Sequence, residues 1–156
     1  MSIEGGVFYF WANNSIIASV NLGASSNYKN KWVHFAISRI SDTLKIFKNG
    51  SQIVSISNST NIINDLSKTL TIGNESVKSL NASFGGYITN FNIVIGQGKY
   101  SSNFESHKQP LESTDDTKLL LLATDSNSLN NDSSQINNVI QNYNVSWANF
   151  NYPTMP

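Results

Sequence analysis

The stretch from Trp32 to Ile56, WVHFAISRISDTLKIFKNGSQIVSI, alternates apolar and polar residues. It breaks at Ser-Asp-Thr, alternates again and breaks at Asn-Gly. A period of two is the pattern of a strand with one covered face, and Asn-Gly is the strongest short signal for a two-residue hairpin turn. The alternation puts Val33, Phe35 and Ile37 on one face and His34, Ala36 and Ser38 on the other. After the break, Leu44, Ile46 and Lys48 oppose Lys45 and Phe47, and the chain returns through QIVSIS beyond Asn49-Gly50. A chain built around such a ribbon folds as antiparallel sheet, with Trp32 and Phe35 expected in its core.

The same period runs through most of the chain. GVFYFWANNSIIASVNL reads as a hairpin turning at Asn13-Asn14, and KTLTIGNES as a strand ending at Gly73-Asn74. ASFGGYITNFNIVIGQG is the longest strand candidate, with Ile88 and Phe91 out of step, which predicts a bulge or burial on both faces. TKLLLLATD is apolar on both sides and reads as a central strand; the tail NNVIQNYNVSWANFNYP holds one or two more. NIINDLSK is a short helix or a turn. Strands at intervals of about ten residues with turns between them predict an all-β, two-sheet sandwich or barrel. The 156 residues form one expected domain, 1–156, with 123–138 a polar surface loop too polar to pack.

Composition narrows the function classes. Charged residues make up 13%, about half the usual share, and Asn and Ser replace them at roughly one residue in seven each. Both suit turns and wet strand faces, because their side chains compete for the backbone inside helices. Ten acidic and ten basic residues cancel, and Arg39 is the single arginine. No basic footprint points to nucleic acid or an anionic membrane. With no cysteine there is no disulfide framework or thiolate chemistry. The longest aliphatic run, Leu119 to Ala123, is far short of a membrane span, and MSIEGGVFYFW lacks the features of a signal peptide.

Motifs for catalysis are thin. The two histidines, His34 and His107, have no spacing that makes a zinc site, and His34 reads as a half-buried strand histidine. GQGK, Gly96 to Lys99, lacks both the earlier glycine and the following Ser or Thr of a phosphate loop. Glycanases on sandwich folds need two carboxylates facing one another across the scissile bond. Here Glu112, Asp115 and Asp116 cluster in a turn ahead of a strand, so no enzyme is expected. Calcium needs several oxygen ligands. Asn61, Asn64 and Asp65, or Asp125, Asn127 and Asp132, are the candidates; no other cofactor is indicated. Asn-x-Ser/Thr sequons begin at Asn13, Asn49, Asn58, Asn74, Asn81, Asn131 and Asn144, and matter only in a eukaryotic secretory pathway.

Trp32, His34, Ala36, Arg39, then Leu44, Lys45, Ile46, Phe47, Asn49 and Gly50 together resemble the central hairpin of concanavalin A-like, laminin G-like jelly rolls. LTIGN (Leu70 to Asn74), Phe84 to Leu111 and Thr117 to Ser134 resemble later parts of that family, so the likeness runs from Val7 to Leu122 and on into the loop. The Gly-Tyr-Ile strand and the Tyr-Ser-Ser-Asn-Phe turn are closest to variants in phage and large-virus structural proteins. The chain begins beyond the family's usual first strands, and residues 139–156 are either closing strands or the start of a following repeat. A sheet left short of strands predicts pairing with another chain.

The resemblance implies a non-enzymatic, lectin-like binding or adhesion module on a virion or another extracellular surface. Its partners would be a glycan or other chains of a particle, in a homo- or hetero-oligomer, without nucleic acid or membrane insertion. The alternative is a structural decoration or assembly domain with no glycan ligand; a degenerate glycanase is the third reading. Sugar binding of this kind uses aromatic faces and side-chain amides, for which Tyr28, Asn74, Glu75 and Tyr100 are the candidates.

Overall fold

A computed structural model describes residues 1–13, 15–59, 70–74, 84–142 and 145–146. The calcium candidates Asn61, Asn64 and Asp65, the helix-or-turn segment 61–68, Glu75 and most of the tail lie outside them. Among the described residues there are eight strands and one short 3-10 turn, Ser25–Asn27. The chain is all-β, and every strand pairing is antiparallel. It divides into two compact units, residues 1–63 with 97–108 and 152–156, and residues 64–96 with 109–151.

The first unit is a two-layer sandwich. One sheet has the order β1 (Ser2–Glu4), β2 (Val7–Ala12), β3 (Ser15–Asn21); the other has β4 (Phe35–Ile40), β5 (Thr43–Lys48), β6 (Ser51–Ser57). Phe8, Ala18 and Leu22 meet Leu44 and Ile46 between the layers, and Phe8 stacks on Phe35 with centroids 5.0 Å apart. The alternation of the ribbon therefore falls as predicted: Phe35, Ile37, Leu44 and Ile46 face this core. Two-residue turns set the registers. Lys48 pairs with Ser51 across Asn49 (φ 50°) and Gly50 (φ 78°), the left-handed pair that a type I′ turn requires.

The ribbon differs from its reading in two places. β4 starts at Phe35, and Trp32, Val33 and His34 precede it. His34 still joins the hairpin: its N–H donates to Asn49 Oδ1 at 2.9 Å, and its carbonyl accepts from Asn49 N–H at 2.8 Å. The second difference is the outer face of the β4–β6 sheet, which is covered. Phe47 is 0% exposed and Ser38 is 4% exposed. The cover is segment 97–108. Phe104 N–H donates to Gly50 O (3.0 Å), Gln52 N–H to Asn103 Oδ1 (2.8 Å), Tyr100 N–H to Ser38 Oγ (3.2 Å) and Lys45 Nζ to Ser101 O (2.5 Å). β5 is thus buried on both faces, where the pattern suggested one.

In the second unit β7 (Phe91–Val94) pairs with β8 (Thr117–Leu121). The long strand predicted over 82–98 shrinks to these four residues, because Asn90 turns left-handed (φ 53°) and bonds through its side chain to Gln109 and Leu111 instead. The expected irregularity comes later, as a register shift between Ile93 and Val94. Residues 70–74 form no strand; Thr71 Oγ1 donates to Asn74 O, and Gly73 (φ 80°) accepts from Phe84 N–H. Among the described tail residues there is no strand.

β8 is apolar on both sides as read, with Leu119 and Leu120 buried, yet among the described residues β7 is its one strand partner. Its other edge is capped by the polar segment that follows. Asp132 is buried and accepts from Leu120 N–H, Ser134 N–H and hydroxyl, and the backbone and side-chain amides of Asn138, at 2.6 to 2.9 Å. Ser133 N–H returns a bond to Leu120 O, and the Asn138 amide another to Lys118 O. The segment expected to be too polar to pack therefore packs, by supplying side chains as a substitute strand. Burial by itself raises the Asp132 pKa, but the hydrogen bonds from Leu120, Asn138 and Ser134 outweigh it and hold the carboxyl well below the usual range.

Two outcomes follow from these contacts. A Cβ on Gly50 would sit 1.9 Å from Phe104 O, whereas one on Gly5, also left-handed at φ 55°, meets nothing within 4 Å. Gly50→Ala is expected to cost about 3 kcal/mol or more in urea unfolding and Gly5→Ala about 1 kcal/mol; equal costs would contradict the close approach. Asp132→Asn is expected to cost about 2–4 kcal/mol at pH 7, since buried N–H donors lose their acceptor. A depressed carboxyl stabilises above its unfolded value of 3.8, and that contribution is lost as pH falls through the folded value. The gap between variant and wild type should accordingly narrow below about pH 4.

Candidate functional site

Three places in the first unit gather chemistry-bearing side chains. The outer face of the β1–β3 sheet is the first. β2 keeps strict alternation, so Phe8 and Phe10 point to the core while Val7, Tyr9 and Trp11 point away. The extra residue of the bulge falls on β3, opposite the Phe10/Trp11 step. Trp11 is 46% exposed, beside Ile16 at 48%. Its ring lies 6.3 Å from that of Tyr9, tilted by 42°. Pairing places Ser2 and Ser19 on either side of Tyr9, and Glu4 and Asn21 on either side of Val7. The result is two adjoining aromatic rings on a strand face bordered by hydroxyl, amide and carboxylate groups.

The second place is a shallow depression of about 430 Å³ at the opposite end of β2, lined by Ile3, Gly5, Gly6, Gly23, Ser25, Tyr28 and Lys29. Tyr28 is half-buried, its ring packed against the sandwich core. Its hydroxyl is 3.7 Å from where a Gly6 Cβ would stand. The ring is therefore engaged in packing, with its hydroxyl beside Gly6.

The third is an aromatic cluster where segment 97–108 meets the β4–β6 sheet. Tyr100 and Phe104 stack with centroids 3.7 Å apart, and both meet Phe47 edge-on. His34 meets Phe104 edge-on, and the His34 and His107 rings are 6.3 Å apart. Tyr100 Oη and His107 Nε2 share a 2.7 Å hydrogen bond. Burial, and then the positive charges of its neighbours, push both histidines below their ordinary value; burial raises the Tyr100 phenol. Tyr100, expected as an exposed sugar platform, thus spends one ring face on Phe104.

The remaining sites from the sequence fall elsewhere. Asn74 is half-buried in the second unit, its carbonyl accepting from Thr71. Asp125 Oδ1 caps the amides of Asn127 and Ser128 in its own turn, and Asp132 is saturated with N–H donors, so neither offers a free carboxylate cage. Among the described residues no three His, Cys, Asp or Glu side chains converge on a common point. Asp115 and Asp116 form the turn before β8, as read.

A laminin G family model, described as concanavalin A-like lectin/glucanases superfamily, matches residues 3–95, more than half of the chain. The chain belongs to that superfamily. The match takes in β1 to β7, beginning earlier than the Val7 at which the sequence likeness starts and ending at Ile95. No curated protein and no solved structure matches the chain. The exposed aromatic residue that the sequence reading passed over is Trp11. The signal for it was present: in VFYFWA the ring at every odd position has no core to enter once Phe8 and Phe10 fill it.

Proposed function

We propose that this concanavalin A-like domain is a non-enzymatic carbohydrate-binding module, and that the outer face of the β1–β3 sheet is where sugar binds. The exposed Trp11 beside the tilted Tyr9 carries the reading. A pyranose has an apolar face that stacks on an aromatic ring and hydroxyls that exchange hydrogen bonds with groups at the ring's edge. Trp11 and Tyr9 supply the ring faces; Ser19 and Asn21 supply donors and acceptors at their borders. Family membership supports the same class of ligand. Display on a virus or phage particle is part of the proposal and rests on the likeness of Phe84 to Leu111 to such structural proteins.

A second reading, an assembly domain without a glycan ligand, is favoured by one observation. Among the described residues, β1, β3, β4 and β6 each have a single strand partner, and a sheet edge of that kind can be extended by a strand of another chain. A glycan array separates the two. Wild type is expected to bind a defined subset of glycans, and Trp11→Ala to weaken that binding at least about tenfold while changing unfolding stability by less than about 1 kcal/mol. No binding above background, with a stable oligomer by light scattering, would replace the lectin reading with the assembly one.

A further inference from the structure

We propose that segment 97–108 is an acid-released strap: charging of His34, beneath it, and of His107, on the strap itself, lets it lift from the outer face of the β4–β6 sheet. The glycan reading is not needed for this.

The geometry is that of a cover fixed at few points. Hydrogen bonds tie the segment down at Ser38, Lys45, Gly50 and Gln52, and three of these involve one side chain. The attachment also rests on Gly98, which lies close against Arg39 and Ile40, and on aromatic packing of Tyr100 and Phe104 on Phe47, with His34 and His107 at its border. Neutral imidazoles suit that setting. Nδ1 of His34 is buried and has no hydrogen-bond partner among the described residues. In the neutral ring it can be the bare nitrogen; in the charged ring it must carry a proton, which becomes a buried donor without an acceptor.

Charge makes the setting worse. The two rings lie 6.3 Å apart, and the ammonium of Lys99 acts on both. On the segment itself the charged groups are Lys99, Glu105 and Lys108, and on β5 they are Lys45 and Lys48. Glu105 is the segment's one carboxylate and it is exposed. Arg39 of β4 pairs with Asp42 at 3.8 Å. Two imidazolium rings would therefore stand beside a lysine with no carboxylate turned toward them among these groups. The Tyr100–His107 bond does not oppose release, because a charged His107 can donate to the phenol oxygen instead; it links two residues of the strap and travels with it.

The sign is fixed by linkage. Both histidines titrate below 6.5 in the folded chain, so the unfolded or lifted state binds more protons. Attachment is complete above the ordinary value of 6.5 and weakens as pH falls through it, until the depressed folded values are passed. Each pH unit by which one histidine is depressed makes lifting about tenfold easier in acid.

Amide hydrogen exchange, corrected for intrinsic rates, tests this between pH 7.5 and pH 5. Protection at Tyr100, Phe104 and Gln52, whose amides bind across the strap, is expected to fall about tenfold or more, while β2 and β3 keep theirs. The double variant His34→Phe, His107→Gln is expected to retain protection at pH 5. Unchanged wild-type protection, an equal loss across β2 and β3, or the same acid loss in the double variant would each overturn the proposal. Should the double variant not fold, NMR titration of the wild-type rings decides: both midpoints are expected below 6.5, and either one at or above it would overturn the strap.

Discussion

The burial of Phe47 is the constraint on which the first unit depends. β5 faces the sandwich core with Leu44 and Ile46, and an ordinary hairpin strand would leave its other face wet. Phe47 points to that other face and is 0% exposed. An aromatic ring there needs a cover, and the chain brings one back from residues 97–108. The close approach this demands is visible at Gly50, where Phe104 O occupies the space a side chain would fill. The same Asn-Gly pair therefore serves two ends. Its left-handed backbone sets the β5–β6 register, and its missing side chain lets the cover dock.

A low-charge, Asn- and Ser-rich chain has to satisfy its backbone with small polar groups, and the structure shows how. Among the described residues, five of the seven non-glycine positions with positive φ are asparagine: Asn13, Asn30, Asn49, Asn90 and Asn137. Asparagine tolerates that region better than other residues with a Cβ. Its side-chain oxygen then accepts from the backbone of another segment, as at Asn49 from His34 and at Asn90 from Leu111. Asp132 and Asn138 extend the device to a whole sheet edge, standing in for a strand beside β8. An edge closed in this way needs no further strand.

Local pattern carried much of the fold. The hairpins at Asn13 and Asn49, the faces of β4 and β5, β8 and the family itself were all legible, because alternation and turn chemistry are properties of neighbouring residues. β1 was missed although Gly5-Gly6, a strong hairpin signal, announces it. Residues 84–90 and 70–74 read as strand and are not, since Asn90 and Gly73 divert the backbone through contacts that period alone does not record. The cover over Phe47 joins residues some fifty positions apart, and nothing local encodes such a pairing. The candidate site suffered from the same gap. The outward turn of Trp11 follows from the alternation of VFYFWA, whereas only the tertiary fold decides that Tyr100 is stacked on Phe104.

The central claim is that Phe47 lies sealed between the β4–β6 sheet and segment 97–108. A nuclear Overhauser experiment on selectively labelled aromatic rings tests it most directly. Ring centroids 6.0 Å from Tyr100 and 5.3 Å from Phe104 predict strong cross-peaks from Phe47 to both. Absence of both cross-peaks at neutral pH, with the Phe47 ring accessible to a soluble relaxation agent, would contradict the account.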